Sequence, residues 1–125
     1  MRKLLIADDE AGVRSLVKMT LESDAYEILE ASDGLEALAL VEKHRPHLVL
    51  LDVSMPGMSG FEVCRSIRAD PGLKEVRVIM LTALAQESDI AEGKAAGADD
   101  YFTKPFSPVA LIRKVEEVFE ARGDE

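Results

Sequence analysis

The sequence predicts an α/β protein in which five parallel strands form one sheet with helices on both faces. Short apolar runs alternate five times with segments of helical periodicity, the order typical of strand and crossover helix units. Three of the runs are apolar at nearly every position, as expected for parallel strands that helices cover on both sides. A chain of 125 residues can build one solid core, so residues 1–125 are predicted to form a single domain.

The apolar runs place the five strands at residues 3–7, 26–30, 47–52, 76–81 and 99–103. Residues 4–7, 48–51 and 78–81 are apolar throughout, so the first, third and fourth strands belong in the middle of the sheet. Glu27 and Glu30 mark the second strand, and Asp99 and Asp100 the fifth, as edges. With right-handed crossovers the strand order is 2-1-3-4-5, a flavodoxin-like, doubly wound arrangement.

Five helices follow from periodicity and end signals. The second and third helices open with the capping-box spacings Asp33-x-x-Glu36 and Ser59-x-x-Glu62. The fifth begins after Ser107, with proline next, and is predicted to end at Gly123. Apolar residues at helical spacing define the inner faces of the first helix (Val13, Leu16, Val17, Leu21) and the fifth (Leu111, Ile112, Val115, Phe119).

The fourth helix, over residues 86–96, is predicted to be weakly held. Its only large apolar residue is Ile90, and its interior contains Gly93. Glycine inside a helix costs about 1 kcal/mol relative to alanine. We therefore expect this helix to be the element that moves most readily.

Three aspartates follow the first and third strands. Asp8 and Asp9 come directly after the first apolar run and Asp52 ends the third, so all three lie where the strand order reverses and ligands bind. Two such charges about 4 Å apart repel by roughly 4 kcal/mol at an effective dielectric near 20. Oxygen ligands without Cys or His select Mg²⁺. The next residue, Glu10, is interpreted only as a helix N-terminal residue favoured by the macrodipole.

Thr82 ends the fourth strand and Lys104 follows the fifth, which brings a hydroxyl and an ammonium group to the edge that carries the aspartates. An Asp carboxylate can attack phosphorus, while a metal ion and a lysine neutralise the phosphoryl oxygens. The set of residue types therefore indicates phosphoryl transfer.

These motifs together resemble the receiver domains of two-component response regulators, over a stretch from Arg2 to about residue 121. The matching segments are Ala7-Asp8-Asp9, Leu51-Asp52-Val53-Ser54-Met55-Pro56-Gly57-Met58-Ser59-Gly60, Leu81-Thr82-Ala83 and Tyr101-Phe102-Thr103-Lys104-Pro105-Phe106.

The resemblance implies a role for each site residue. Asp52 would accept a phosphoryl group from a histidine kinase or histidine phosphotransfer protein. Asp9 would bind Mg²⁺ directly, Asp8 mostly through water, and Asp52 and the Ser54 carbonyl would be further ligands. Lys104 would pair with the phosphate.

The resemblance also implies a conformational switch formed by Thr82 and Tyr101. Phosphorylation adds acceptor oxygens and negative charge, so Thr82 would turn inward and leave space for the Tyr101 ring. We expect the face built from helix 4, strand 5 and helix 5 to change and to bind a downstream protein. Such a chain would act as a phosphoacceptor switch rather than as an enzyme with a separate substrate. The sequence does not decide whether it forms a homodimer.

Composition excludes several other classes. The net charge of -9 repels a phosphate backbone, so direct nucleic-acid binding is not expected. No apolar run is long enough to cross a membrane, and the lone Cys64 suits a packing role in a reducing cytoplasm.

Three alternatives compete with this interpretation. A Mg²⁺-dependent aspartyl-phosphate phosphohydrolase uses similar residues, but it resembles Asp-x-Asp, and Ser54 stands at the second position. A receiver cut from a longer regulator with an output domain is the second alternative; no helix-turn-helix follows the last predicted helix. A flavin protein of the same topology is disfavoured because the acidic edge would repel the flavin phosphate.

Overall fold

The computed structural model describes residues 2–22, 26–82, 87–104 and 107–121, without the side chains of residues 87–89 and 121. Strands and crossover helices alternate along the chain, and every strand lies within one residue of its predicted limits. In chain order the elements are β1 (Lys3–Ala7), α1 (Ala11–Glu22), β2 (Glu27–Ala31), α2 (Gly34–His44), β3 (Leu48–Asp52), α3 (Gly60–Ala69), a 3-10 turn (Pro71–Leu73), β4 (Arg77–Thr82), α4 (Glu87–Ala96), β5 (Asp100–Thr103) and α5 (Pro108–Ala121).

The five strands form one parallel sheet in the order β2-β1-β3-β4-β5, which confirms the predicted topology. Ala7 pairs with Leu51, and Asp52 pairs with Leu81. The ends of β1, β3 and β4 therefore lie side by side, and residues that follow them meet at one edge.

Alternate residues of the central strands enter two separate cores because successive side chains of a strand point to opposite faces. One core lies under α2, α3 and α4 and contains Leu5, Val49, Leu51, Val78 and Met80. The other lies under α1 and α5 and contains Leu4, Ile6, Leu50, Ile79 and Leu81. Each such fully buried side chain stabilises the fold by roughly 1.5–3 kcal/mol.

The predicted helix starts are confirmed. Asp33 and Ser59 each accept a hydrogen bond from the backbone N–H three residues later, and Ser59 completes a capping box with Glu62. The Ser107 hydroxyl accepts from the Ala110 N–H at the start of α5. Gly123, the predicted end of α5, lies outside the described residues.

The predicted inner faces are right for most positions and wrong for one. Leu16 is 38% exposed, because the buried stripe of α1 follows Val17 and Leu21 and leaves Leu16 at its margin. Val118 of α5 is buried, although the sequence interpretation did not place it inward.

The described part of helix α4 has few buried side chains, as expected. Among its described side chains only Ala96 is fully buried, and Ile90 is half-buried. Gly93 faces Met80 and Phe61, which an added Cβ would meet at 3.6 and 3.7 Å.

Candidate functional site

Asp8 is fixed in place directly after β1. Its backbone N–H donates to the Ala31 carbonyl at 3.1 Å, its Oδ1 accepts from the Glu10 N–H at 2.9 Å, and its carbonyl accepts from the Arg14 guanidinium at 2.7 Å. The residue has no exposed surface. These contacts fix the buried carboxylate at the carboxyl-terminal edge of the sheet.

Asp52 is the last residue of β3, and only 6% of its surface is exposed. The start of α3 lies directly against it: a Cβ on Gly60 would come within 2.2 Å of the Asp52 carbonyl oxygen. The Gly60 N–H donates to the Val53 carbonyl at 3.0 Å. Glycine at position 60 therefore allows the close approach that positions the loop after Asp52.

Lys104 joins the two carboxylates. Its backbone N–H donates to the Thr82 carbonyl at 2.7 Å, which holds the end of β5 beside the end of β4. The Nζ atom lies 2.7 Å from Asp8 Oδ2 and 3.4 Å from Asp52 Oδ1, and the side chain is only 13% exposed. The ammonium thus offsets part of the repulsion between the two aspartates.

Burial and charge shift the pKa of both groups. Burial, and then the negative charge of Asp8, raise the pKa of Asp52 to about 6, although Lys104 and a hydrogen bond from the Ser54 backbone oppose the shift. Burial alone would lower the pKa of Lys104, but Asp8 and Asp52 outweigh it and the pKa is raised. Lys104 is therefore a lasting positive charge beside a carboxylate that resists ionisation.

The residues fit a divalent cation. Asp8, Asp9 and Glu10 each place a carboxylate oxygen within 4.8 Å of the others. Asp8 Oδ2 is buried and, in the part of the chain that the structure describes, accepts no hydrogen bond of good geometry, with the Lys104 ammonium as its ion-pair partner. An oxygen-only set with one buried and two exposed carboxylates suits Mg²⁺.

Glu10 was missed as a member of this cluster. Helix α1 begins only at Ala11, and the Glu10 carbonyl accepts from the Val13 and Arg14 N–H groups. The Glu10 carboxylate lies 3.4 Å from Lys104 Nζ. The uninterrupted acidic run after β1 was the available signal.

The structure places the remaining predicted residues around the same edge. Thr82 ends β4 and is 6% exposed. Ser54 and Asp9 line an open cleft of about 730 Å³ that extends to Phe61 and Glu92. The motif positions Ala83, Pro105 and Phe106 lie outside the described residues.

Tyr101 packs inward in this structure. Its ring is half-buried against the core under α2, α3 and α4, and its hydroxyl oxygen is buried. Burial, and then the charge of Asp100, raise the pKa of the phenol. The inward position is the one that the sequence interpretation assigns to the phosphorylated state.

Known proteins of similar sequence and structure belong to one family. Residues 4–116 match the family model described as the response regulator receiver domain. The chemotaxis protein CheY4 of Vibrio cholerae has a TM-score of 0.90 and 38% identity, over 94% of this chain and 98% of that one. The BeF3-activated DrrB receiver domain has a TM-score of 0.87 and 34% identity, over 96% and 98% of the two chains.

A longer relative is the phosphate regulon transcriptional regulatory protein PhoB of Pseudomonas aeruginosa. It is 40% identical over 122 residues, which are 98% of this chain and 53% of PhoB. The chain thus spans about half the length of the curated relatives it matches. In the described part of the chain, no helix has the length and apolarity needed to span a bilayer.

Proposed function

Because the chain belongs to the response regulator receiver domain family, whose members act in phosphorelay signalling, we propose that Asp52 is its phosphoryl acceptor. The donor is a histidine kinase or a histidine phosphotransfer protein, and residues 1–125 act as one receiver domain in the cytoplasm. The observation that supports this most is the Lys104 ammonium, 2.7 Å from Asp8 and 3.4 Å from Asp52. The Lys104 ammonium lies between two carboxylates at the strand ends, so it can neutralise the negative charge of phosphoryl oxygens bound there.

The proposed step is a displacement at phosphorus. An ionised Asp52 oxygen forms the new P–O bond, the bond from phosphorus to the donor imidazole nitrogen breaks, and that nitrogen keeps the electron pair and takes up a proton. Lys104 pairs with a phosphoryl oxygen. Asp8, Asp9, Asp52 and the Ser54 carbonyl would hold Mg²⁺, with Glu10 beside them. Bound there, the ion would neutralise charge on the transferred group.

The switch in this proposal uses Thr82 and Tyr101. Phosphorylated Asp52 presents three acceptor oxygens, and Thr82, at the adjacent strand end, turns its hydroxyl toward them. The Tyr101 ring would then be held in the inward position that it has in this structure. The face formed by α4, β5 and α5 changes as a result and binds a downstream protein.

We infer a binding module rather than an enzyme with a separate substrate. The net charge of -9 makes direct contact between these residues and nucleic acid unfavourable. A role in transcription, such as the one in the name of PhoB, would therefore need a separate DNA-binding domain or partner protein. The phosphohydrolase alternative is disfavoured because Ser54 has no acid–base group. Turnover of small phosphomonoesters by the purified protein would instead support that alternative.

Phosphate incorporation tests the proposal directly. The protein is incubated with acetyl phosphate, with Mg²⁺ or with EDTA, and intact mass is recorded. One phosphoryl group should be added only with Mg²⁺ and not in Asp52→Asn. The matched control is Asp70→Asn, because Asp70 only caps the turn after α3 and asparagine is an equally good cap. Equal labelling of the two variants would refute the assignment.

A further inference from the structure

From Ile90 onward, where its side chains are described, helix α4 is attached to the protein unevenly. Resting on the proposed function above, we propose that Arg68 of α3 is a positioning residue that fixes the carboxyl end of α4. That end is then a pivot, and only the amino-terminal part of the helix moves when Asp52 is phosphorylated.

The Arg68 guanidinium donates three hydrogen bonds to acceptors that surround the carboxyl end of α4. Arg68 Nε donates to the Gly97 carbonyl at 2.7 Å, Nη1 to the Val76 carbonyl at 2.7 Å, and Nη2 to Asp99 Oδ2 at 2.8 Å. The side chain is only 22% exposed. Arg68 thus connects α3 with the segments before β4 and after α4.

Asp99 makes this connection rigid. Its Oδ2 accepts from the Val78 N–H at 2.8 Å as well as from Arg68, and its own backbone N–H donates to the Val78 carbonyl at 2.8 Å. Charge-assisted hydrogen bonds are about twice as strong as neutral ones. The residues that follow α4 are therefore bound to β4 and α3 together.

The backbone at the end of α4 is fixed from within as well. Gly97 has a φ of +99°, and the Ala98 N–H donates to the Gly93 carbonyl at 3.0 Å, the arrangement of a helix closed by a left-handed glycine. The Cys64 thiol donates to the Ala96 carbonyl at 3.4 Å. A Cβ on Gly97 would lie 2.5 Å from Arg68 Cγ, so the guanidinium stem packs directly on the glycine.

The preceding turns of α4 have much weaker contacts among the described residues. Arg65 and Glu92 approach only to 4.0 Å, and both side chains are 52% exposed. Such exposed pairs add little to stability. Ile90 is half-buried. Among the described contacts, motion of residues 90–92 therefore breaks only this exposed ion pair and the partial burial of Ile90, whereas motion at residues 96–99 would break the Arg68 and Asp99 hydrogen bonds.

Amide exchange on the unmodified protein tests the pivot. BeF3 activates the DrrB receiver domain, so exchange is compared with and without BeF3 and Mg²⁺. We expect residues 90–93 to change by roughly tenfold or more, the effect of about 1.4 kcal/mol, while residues 96–99 stay within roughly twofold. Equal changes in both segments, or none before Gly93, would overturn the proposal.

Matched arginine variants test the role of Arg68 itself. In Arg68→Ala, exchange at residues 96–99 should rise by roughly tenfold or more, because charge-assisted bonds are lost, and the BeF3-induced change should spread into that segment. Arg65→Ala, one turn earlier on α3, should do neither. Arg68→Lys should restore part of the protection because one donor remains.

A purely structural role would raise exchange equally with and without BeF3 and leave the induced change confined to residues 90–93. That result would contradict the proposal, as would identical behaviour of the two alanine variants. Should Arg68→Ala not fold, Asp99→Asn removes the charged acceptor with little change in shape and must produce the same spread.

Intact-mass labelling with acetyl phosphate and Mg²⁺ accompanies every sample. Absence of labelling in the unmodified protein would refute the proposed function. Normal labelling with a uniform change along α4 would refute the pivot alone.

Discussion

Replacing Asp52 by asparagine should stabilise the protein when no metal is present. In the folded protein the pKa of Asp52 is raised from 3.8 to about 6. A raised carboxyl pKa contributes stability that is fully present below the unfolded value and is lost as pH rises through the folded value. The ionised carboxylate therefore costs stability above about pH 6, and Asp52→Asn removes that cost.

The magnitude follows from the shift of the pKa. A difference of roughly two units corresponds to about 3 kcal/mol at 1.4 kcal/mol per unit, and little is screened because Asp52 is only 6% exposed. The variant also loses one of the ion-pair partners of Lys104, which keeps Asp8 and Glu10. We therefore expect a net gain in the free energy of unfolding of about 2 kcal/mol at pH 7.5.

Urea unfolding measures this difference at pH 7.5 and at pH 3.5, with EDTA and with Mg²⁺. The gain should be nearly absent at pH 3.5, which lies below the pKa of Asp52 in both states, so that the carboxyl is neutral in the folded protein and mostly neutral in the unfolded chain. It should shrink or reverse with Mg²⁺, because binding to the native state of the unmodified protein adds stability. Glu42→Gln, an exposed carboxylate on α2, is the control and should change little. No gain at pH 7.5 in EDTA, or an equal gain at both pH values, would refute the reasoning.

Three further outcomes are expected. Gly60→Ala should lower the free energy of unfolding by more than about 2 kcal/mol, because its Cβ would lie 2.2 Å from the Asp52 carbonyl; Gly12→Ala, with no atom within 4 Å, is the control, and equal urea midpoints would contradict this. Lys104→Met should raise the pKa of Asp52 further, since it removes the charge that lowers it; an unchanged or lower pKa by NMR titration would be the contrary result. The pKa of His47 is lowered by burial and by Arg2 and Arg77, so stability linked to His47 is present above pH 6.5 and is lost as pH falls. His47→Gln should remove that acid loss in urea midpoints scanned from pH 7 to 5, and an unaltered slope would disprove it.

The sheet could be predicted because its strands are short apolar runs. Parallel strands that are buried on both faces appear in the sequence as unbroken apolar runs. The runs Leu4 to Ala7 and Leu48 to Leu51 therefore locate β1 and β3 within one residue. Capping residues are equally local, since Ser59 and Glu62 contact each other within one turn. Local rules were sufficient for these features.

Arg68 shows why other features could not be predicted. Its acceptors at Val76, Gly97 and Asp99 are 8, 29 and 31 residues away in sequence. No spacing rule connects them, and only the packed sheet brings them together. The exposure of Leu16 was missed for a related reason, because periodicity locates an apolar stripe but not its margin.

The position of Cys64 makes the protein convenient for site-specific spectroscopy. The side chain is fully buried, and burial raises its pKa to about 11. At pH 8 only about one molecule in a thousand would carry the reactive thiolate. A cysteine introduced at the exposed Val109 could therefore receive a fluorophore or spin label through maleimide chemistry without first removing the native thiol.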